Sequence, residues 1–309
     1  MASEPGVAGA AQIPPLPTGF PPLPAGFVWA ARDDGTLVAA DAEILGALRE
    51  RGLLARAGLR AALSSAGGAR GRAHTAVVNL TAADPPEPDG AACPSALLLR
   101  PLRRGGALAP LLGGALLGPS RPFRELAVNA ALRAAGAPVP RPALAAAWRH
   151  RSVWNAALAT QLEAGAVDAA AFVAARPAPA ALRDALRAAG RAVRRFHDAG
   201  GSHPDLHAAN LLIRAGVGGV DALVIDLDGA RAGADLDPPA RMTELMRLYR
   251  SLRKRELLAR VGERGCAAFL RAYVDGDRAL RAGLLGRLAA ERRRVAFHAL
   301  HYRRGDAPR

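Results

Sequence analysis

Apolar residues come in short blocks through the first half of the chain and recur every three or four positions through much of the second. From Phe27, "FVWAARDDGTLVAAD" sets two apolar runs around Asp34 and Gly35, which predicts a β-hairpin. "AEILGALRERGLLARAGL" carries helical spacing. A run with glycines at 67, 68 and 71 precedes a β-prone segment, Thr75 to Leu80. "DPPEPDG" (Asp84 to Gly90) is a turn-rich connection, and "ALLLR", ending at Arg100, reads as the next strand. That order, strand, glycine-rich turn, strand, turn, strand, predicts an antiparallel meander.

"SRPFRELAVNAALRAAGAPVPRP" predicts a helix with Ser120 as N-cap and Pro122 in its first turn. Gly136 stops it, and Pro138, Pro140 and Pro142 prevent its return. "RPALAAAWRH" and "SVWNAALATQLE" (Ser152 to Glu163) predict two strands around a basic turn. Beyond Glu163 the pattern turns helical. "APAALRDALRAAGRAVRRFHDAG" places Leu182, Leu186, Ala189, Val193 and Phe196 on one stripe. The expected class is α+β, divided near residue 164. Residues 1–24, with their "PPLPTGF" and "PPLPAGF" repeat, are expected to be a flexible proline-rich lead-in, although a partner-binding role is open. Residues 25–163 would form a β-rich unit and 164–309 a helical one.

Composition changes this picture in three ways. A chain of 309 residues with 50% hydrophobic content can bury a core in one large domain or two lobes. All but one of its 42 Lys and Arg residues are arginine, the exception being Lys254, so a single arginine carries little information. The net charge of +15 favours anionic partners such as nucleic acid, phosphorylated small molecules or an acidic membrane surface. Cys93 and Cys266 are too few for a disulfide framework and suggest a reducing compartment. "MASEPG" lacks the look of a secretory signal, and "ALAPLLGGALLG" is too short and glycine-rich to cross a bilayer, so a soluble or peripheral protein is expected.

The chemistry concentrates in "GGSHPDLHAANLLI", where His203, Asp205 and Asn210 have the spacing H-x-D-x-x-x-x-N. "ADALVIDLDGA" follows, an apolar strand ending in Asp226. Phosphoryl transfer is mostly positioning and charge neutralisation. One carboxylate must orient the attacking hydroxyl and accept its proton. An amide oxygen and a second carboxylate must hold Mg²⁺ against the phosphates, an ion that takes oxygen ligands and keeps waters. Asp205 suits the first role, and Asn210 with Asp226 the second. His203 reads as a structural hydrogen-bonder.

With these stretches in order, together with "LLLRPLRRGG" and "MTELMRLYRSLRK" (Met242 to Lys254), the chain resembles the kinase-like lipopolysaccharide kinases, the Kdo kinases in particular, over roughly residues 25 to 260. The resemblance implies a two-lobed protein-kinase-like fold using ATP and Mg²⁺. Gly67, Gly68 and Gly71 would cover the nucleotide phosphates, glycine permitting close backbone approach. Glu125 would pair with the strand cation, and Gln161 to Glu163, centred on Leu162, would offer backbone groups to adenine. It also implies an anionic glycolipid acceptor, Kdo on lipid A. The place of work would be the cytoplasm, peripheral at the inner face of a Gram-negative inner membrane. Other acceptors, such as a core heptose or an aminoglycoside-like molecule, stay open. A nucleic-acid partner is not expected, since 4% aromatic content gives few stacking platforms.

There are departures from the kinase pattern. Pro204 replaces an arginine of kinases switched by activation-loop phosphorylation, and His207 stands where a lysine is common. "DLD" replaces "DFG", so Asp228 competes with Asp226, which is preferred because it ends the strand. The strand that should carry a lysine carries Arg100, with Leu98 and Leu102 on the same face. Arg100 is therefore the expected phosphate anchor, with Glu125 its partner, leaving Arg103 and Arg104 for the acceptor or lipid. "ERRRVAFHALHYRR" (Glu291 to Arg304) either lies on an anionic surface or packs as an ordinary helix.

Overall fold

The computed structural model describes residues 19–30, 34–65, 75–80, 94–103, 116–216 and 218–288. The chain divides into two compact units, Met1–Ala127 with Pro142–Leu162, and Val128–Arg141 with Glu163–Arg309. Residues 1–18 of the lead-in, the glycines at 67, 68 and 71, Arg104, Cys93 and the stretch 291–304 lie outside the described residues.

The first unit is built on a six-stranded antiparallel sheet in the order β1-β2-β5-β6-β4-β3. Its strands are β1 (Phe27–Ala30), β2 (Leu37–Asp41), β3 (Ala76–Asn79), β4 (Ala96–Leu102), β5 (Pro142–His150) and β6 (Val153–Gln161). The hairpin expected at the start forms as β1–β2, and the last two strands turn at Arg151, which adopts a positive φ of 55°. The expected meander does not form throughout. Two helices, α1 (Leu45–Glu50) and α2 (Arg56–Ser64), intervene after β2, so β3 arrives at the far edge beside β4 and β5 takes the place next to β2. The glycine-rich run consequently follows a helix, α2, on its N-terminal side and leads into β3.

Both faces of this sheet are covered. Val38, Ala40, Leu97 and Leu99 pack on one face with Leu48, Leu53, Leu54 and Leu59 of the α1–α2 region. Ala39, Ala145, Ala147 and Leu102 pack on the other with Phe123 and Leu126 of helix α3 (Ser120–Ala134). Strands covered twice read as continuous apolar runs, which is why the middle of β5 is alanine on both faces. Pro101 sits in β4 beyond the last residue that β3 pairs, where a missing N–H costs no ladder bond to that neighbour.

The second unit is mostly helical: α4 (Ala169–Ala174), α5 (Pro179–Asp198), α6 (Pro238–Lys254) and α7 (Leu258–Val274), with helical residues continuing over 278–288. A small antiparallel sheet, β7 (Val167–Asp168), β8 (Leu211–Gly216) and β9 (Gly219–Val224), lies beside them. The predicted stripe of α5 faces this core, with Ala189, Val193 and Phe196 fully buried and Leu182 and Leu186 packed at its edge. An alanine-sized side chain at Gly190 would meet the backbone oxygen of Phe269 at 2.4 Å, so α5 and α7 touch backbone to backbone there. Among the described residues no helix is long and apolar enough to cross a membrane.

Candidate active site

The site in the second unit begins where α5 ends. Gly200 takes a left-handed φ of 77°, the Gly201 N–H returns to the Phe196 carbonyl at 2.9 Å and the Gly200 N–H to His197 at 3.1 Å. This double closure satisfies the last helical carbonyls and aims the chain into the loop at 202–210. Ser202 and Arg231 then exchange two backbone hydrogen bonds of 3.0 and 2.9 Å, tying that loop to the segment after Asp226.

Within the loop, polar groups hold the backbone and one carboxylate is left outward. The His203 side chain is buried, accepts the Asp205 N–H on Nδ1 at 3.2 Å and reaches the Ile225 carbonyl from Nε2 at 3.3 Å. Its two contacts set the tautomer: Nε2 carries the proton and Nδ1 accepts. Burial pushes the His203 pKa below the usual imidazole range, outweighing the Ile225 bond and the Glu244, Asp226 and Asp205 charges. The ring is thus a neutral strut. Leu206 is wholly buried next to Asp205, whereas the Asp205 side chain is 79% exposed. His207 places Nε2 at 3.6 Å from that carboxylate.

Asn210 closes the loop. Its amide nitrogen donates to the Asp205 carbonyl at 3.1 Å, and its own carbonyl accepts the Ile225 N–H at 2.9 Å. The side-chain oxygen is thereby the acceptor end of a fixed amide. Asp226 follows at φ 60°, a left-handed conformation that costs a non-glycine residue roughly 1–2 kcal/mol and that Asp tolerates better than most. The turn brings an exposed carboxylate directly after Ile225, the residue bonded to both His203 and Asn210. Asp205, Asn210 and Asp226 are therefore linked through neighbouring backbone groups of one unit.

Mg²⁺ suits the hard oxygens of an amide and a carboxylate, with waters and phosphate completing its shell. Asn210 and Asp226 offer such a pair. No group of three or more His, Cys, Asp or Glu able to hold a metal occurs among the described residues.

In the first unit, Arg100 of β4 forms an ion pair with Glu125 of α3, the pairing that the family resemblance implies. Glu125 is buried, and Phe123 and Leu126 beside it seat this stretch of the helix against the sheet. The Arg100 side chain remains 25% exposed. Arg103 is exposed, and its carbonyl accepts from Arg121 at 3.1 Å. Leu162 spends its N–H on the Ala96 carbonyl at 3.0 Å, so contact from this residue to a base would come through its carbonyl. Glu163 pairs with Arg214 at 2.8 Å in the second unit.

One participant carries no role in the sequence reading. Glu244 of α6 is buried, and its carboxylate accepts the Ser202 hydroxyl at 2.8 Å and the His203 N–H at 3.1 and 3.0 Å. His197 Nε2 lies 3.1 Å from the same carboxylate. Burial alone would raise the Glu244 pKa, but His197, the His203 N–H and Ser202 hold it below the usual carboxylate range. The signal available was spacing: Glu244 shares a helical stripe with Leu248, four residues on, an apolar face on which an acid needs a partner.

The lipopolysaccharide kinase (Kdo/WaaP) family matches residues 92–273. 3-Deoxy-D-manno-octulosonic acid kinases of Xanthomonas campestris pv. campestris and Xanthomonas oryzae pv. oryzae are each 36% identical over 165 residues. Those matches cover 51% of this chain and 61% of each relative, so the chain spans about three fifths of their length. A solved structure, WaaP in complex with acyl carrier protein, shows 20% identity and a TM-score of 0.48, covering 81% of this chain and 95% of that one. With the family match extending over more than half of its residues, the chain belongs to the lipopolysaccharide kinase (Kdo/WaaP) family.

Proposed function

We propose that the protein is an ATP-dependent kinase that transfers the γ-phosphate to a hydroxyl of Kdo on lipid A. The observation that carries this reading is the loop at 202–210, where a pinned backbone presents one exposed carboxylate, Asp205. Asp205 orients the acceptor hydroxyl and takes its proton as the oxygen attacks phosphorus. Bound Mg²⁺ would neutralise charge on the phosphates, with Asn210 and Asp226 as its protein ligands. Arg100, steadied by Glu125, grips phosphate oxygens of the nucleotide, and a guanidinium does this as a fork. Leu162 borders the adenine, and Gly67, Gly68 and Gly71 cover the phosphates.

Two features support a lipid-linked acceptor. The net charge of +15 suits an anionic glycolipid and an anionic membrane surface, with peripheral attachment on the cytoplasmic side of the inner membrane. The second unit also holds a cavity of about 420 Å³ lined by apolar groups such as Val173, Leu245, Met246 and Phe269, a size and lining suited to an acyl chain. The test is mass spectrometry of Kdo–lipid A incubated with enzyme, ATP and Mg²⁺. A phosphate-sized gain on the Kdo portion supports the assignment. Transfer only to a heptose-bearing core would move the acceptor to heptose, and no transfer to either would overturn the reading. Equal rates on acylated and de-acylated acceptors would remove the lipid from it.

A further inference from the structure

We propose that Tyr273, His197 and Glu244 form a buried hydrogen-bond relay that positions the Asp205 loop for transfer. It rests on the reading of Asp205 as the base. The three side chains come from three helices: Tyr273 from α7, His197 from the last turn of α5 and Glu244 from α6. All are buried, at 0%, 1% and 4% exposure. The Tyr273 hydroxyl lies 2.7 Å from His197 Nδ1, and His197 Nε2 lies 3.1 Å from Glu244.

Donor and acceptor inventory fixes the direction of this chain. Burial, against the pull of Arg241 and Arg194, pushes the Tyr273 hydroxyl up to about 12, so it keeps its proton. A phenol can then donate to Nδ1, leaving the imidazole proton on Nε2 and pointing at Glu244. The carboxylate accepts that proton together with the Ser202 hydroxyl and the His203 N–H. His203 in turn accepts the Asp205 N–H. The path therefore runs from α7 to the base through donors that point toward Glu244 from both sides, Tyr273 and His197 from the helices and the His203 and Asp205 amides from the loop, and it ends on the backbone of Asp205, not on its carboxylate. The charge of Arg241 on α6 also acts on the Tyr273 hydroxyl.

A buried carboxylate with three donors holds its loop only while each donor stays in place. Removing the Nε2 proton leaves Glu244 short of one donor in a low-dielectric setting and drives it to shift toward another. Displacement of about 1 Å at a catalytic group is enough to cost on the order of 10²-fold in rate. The relay residues are thus positioning residues: they touch no substrate.

The experiment compares His197→Leu, His197→Gln and Tyr273→Phe in the full chain, with Asp205→Asn alongside. Melting temperature, kcat, KM for ATP and amide exchange at His203 and Asp205 are measured for each. His197→Leu should lower kcat about tenfold or more at unchanged KM, and speed exchange at the His203 amide. His197→Gln restores an N–H near Nε2 and should recover most of both. If His197→Leu does not fold, Tyr273→Phe, which deletes a single hydroxyl, carries the test and should show the same pattern in milder form. The proposal is overturned if the foldable variant is silent in both readouts, if Gln fails to restore what Leu removes, or if kcat is lost only in step with melting temperature. Retained turnover in Asp205→Asn would instead sink the assignment of the base, while amide exchange would still judge the relay.

Discussion

Asp205 stands outward between a buried histidine and a buried leucine, so its carboxylate is free of any packing duty. Asp205→Ala is expected to cost on the order of 10²–10⁴-fold in kcat, the usual worth of a positioned base. Its melting temperature should match the parent, and a calorimetric scan beside a transfer assay checks both. Arg100 differs, because its partner is buried. Arg100→Ala removes the cation paired with buried Glu125 and should both raise KM for ATP or lower kcat sharply and lower stability. Nucleotide titration of the variant reads the first effect, and unchanged kinetics would hand the phosphate anchor to another residue. These side chains were legible in the sequence because their chemistry follows from local spacing. Asp205, Asn210 and Asp226 lie within about twenty positions, and strand alternation sets the face of Arg100, while Glu125 as its partner came from the family resemblance. Glu244 and His197 were not legible, since an acid 41 residues beyond His203 gives no sign of bonding its N–H until the helices are packed.

The elements were predicted best where one periodicity ran uninterrupted, as in α5 and the β5–β6 hairpin. They were predicted worst where pairing depended on what comes between strands. A residue pattern can show that β2 and β3 are strands, but their separation by α1 and α2 decides that they never meet. Gly190 illustrates the same limit. In sequence it is a weak spot in the middle of a long helix, whereas in the fold it is a point of close backbone approach between α5 and α7. Gly190→Ala improves helix propensity, yet should destabilise the chain by about 1–3 kcal/mol through overpacking. Denaturant unfolding gives the sign directly, and a stabilised variant would mean the helices can part at little cost.

Across the whole molecule two properties are set by charge. Acid should weaken the fold in two stages. Folded His203 binds its proton less readily than the unfolded residue, so the unfolded chain protonates first. That part of the stability is full above about pH 6.5 and declines below it. Glu244 is a carboxylate with a lowered pKa, so its share holds above an unfolded value of 4.5 and is lost as the pH falls beneath that. Melting curves from pH 8 to 3 should show both stages, and His203→Gln should lack the first. The second property is the near absence of lysine. The β4 position facing Glu125 holds a guanidinium, which does not acylate under conditions that modify amines. Reactive nucleotide analogues that capture kinases by bonding to a strand lysine would pass this protein by. Its one lysine amine, on exposed Lys254 at the end of α6, would be left as a nearly unique handle for attaching a label.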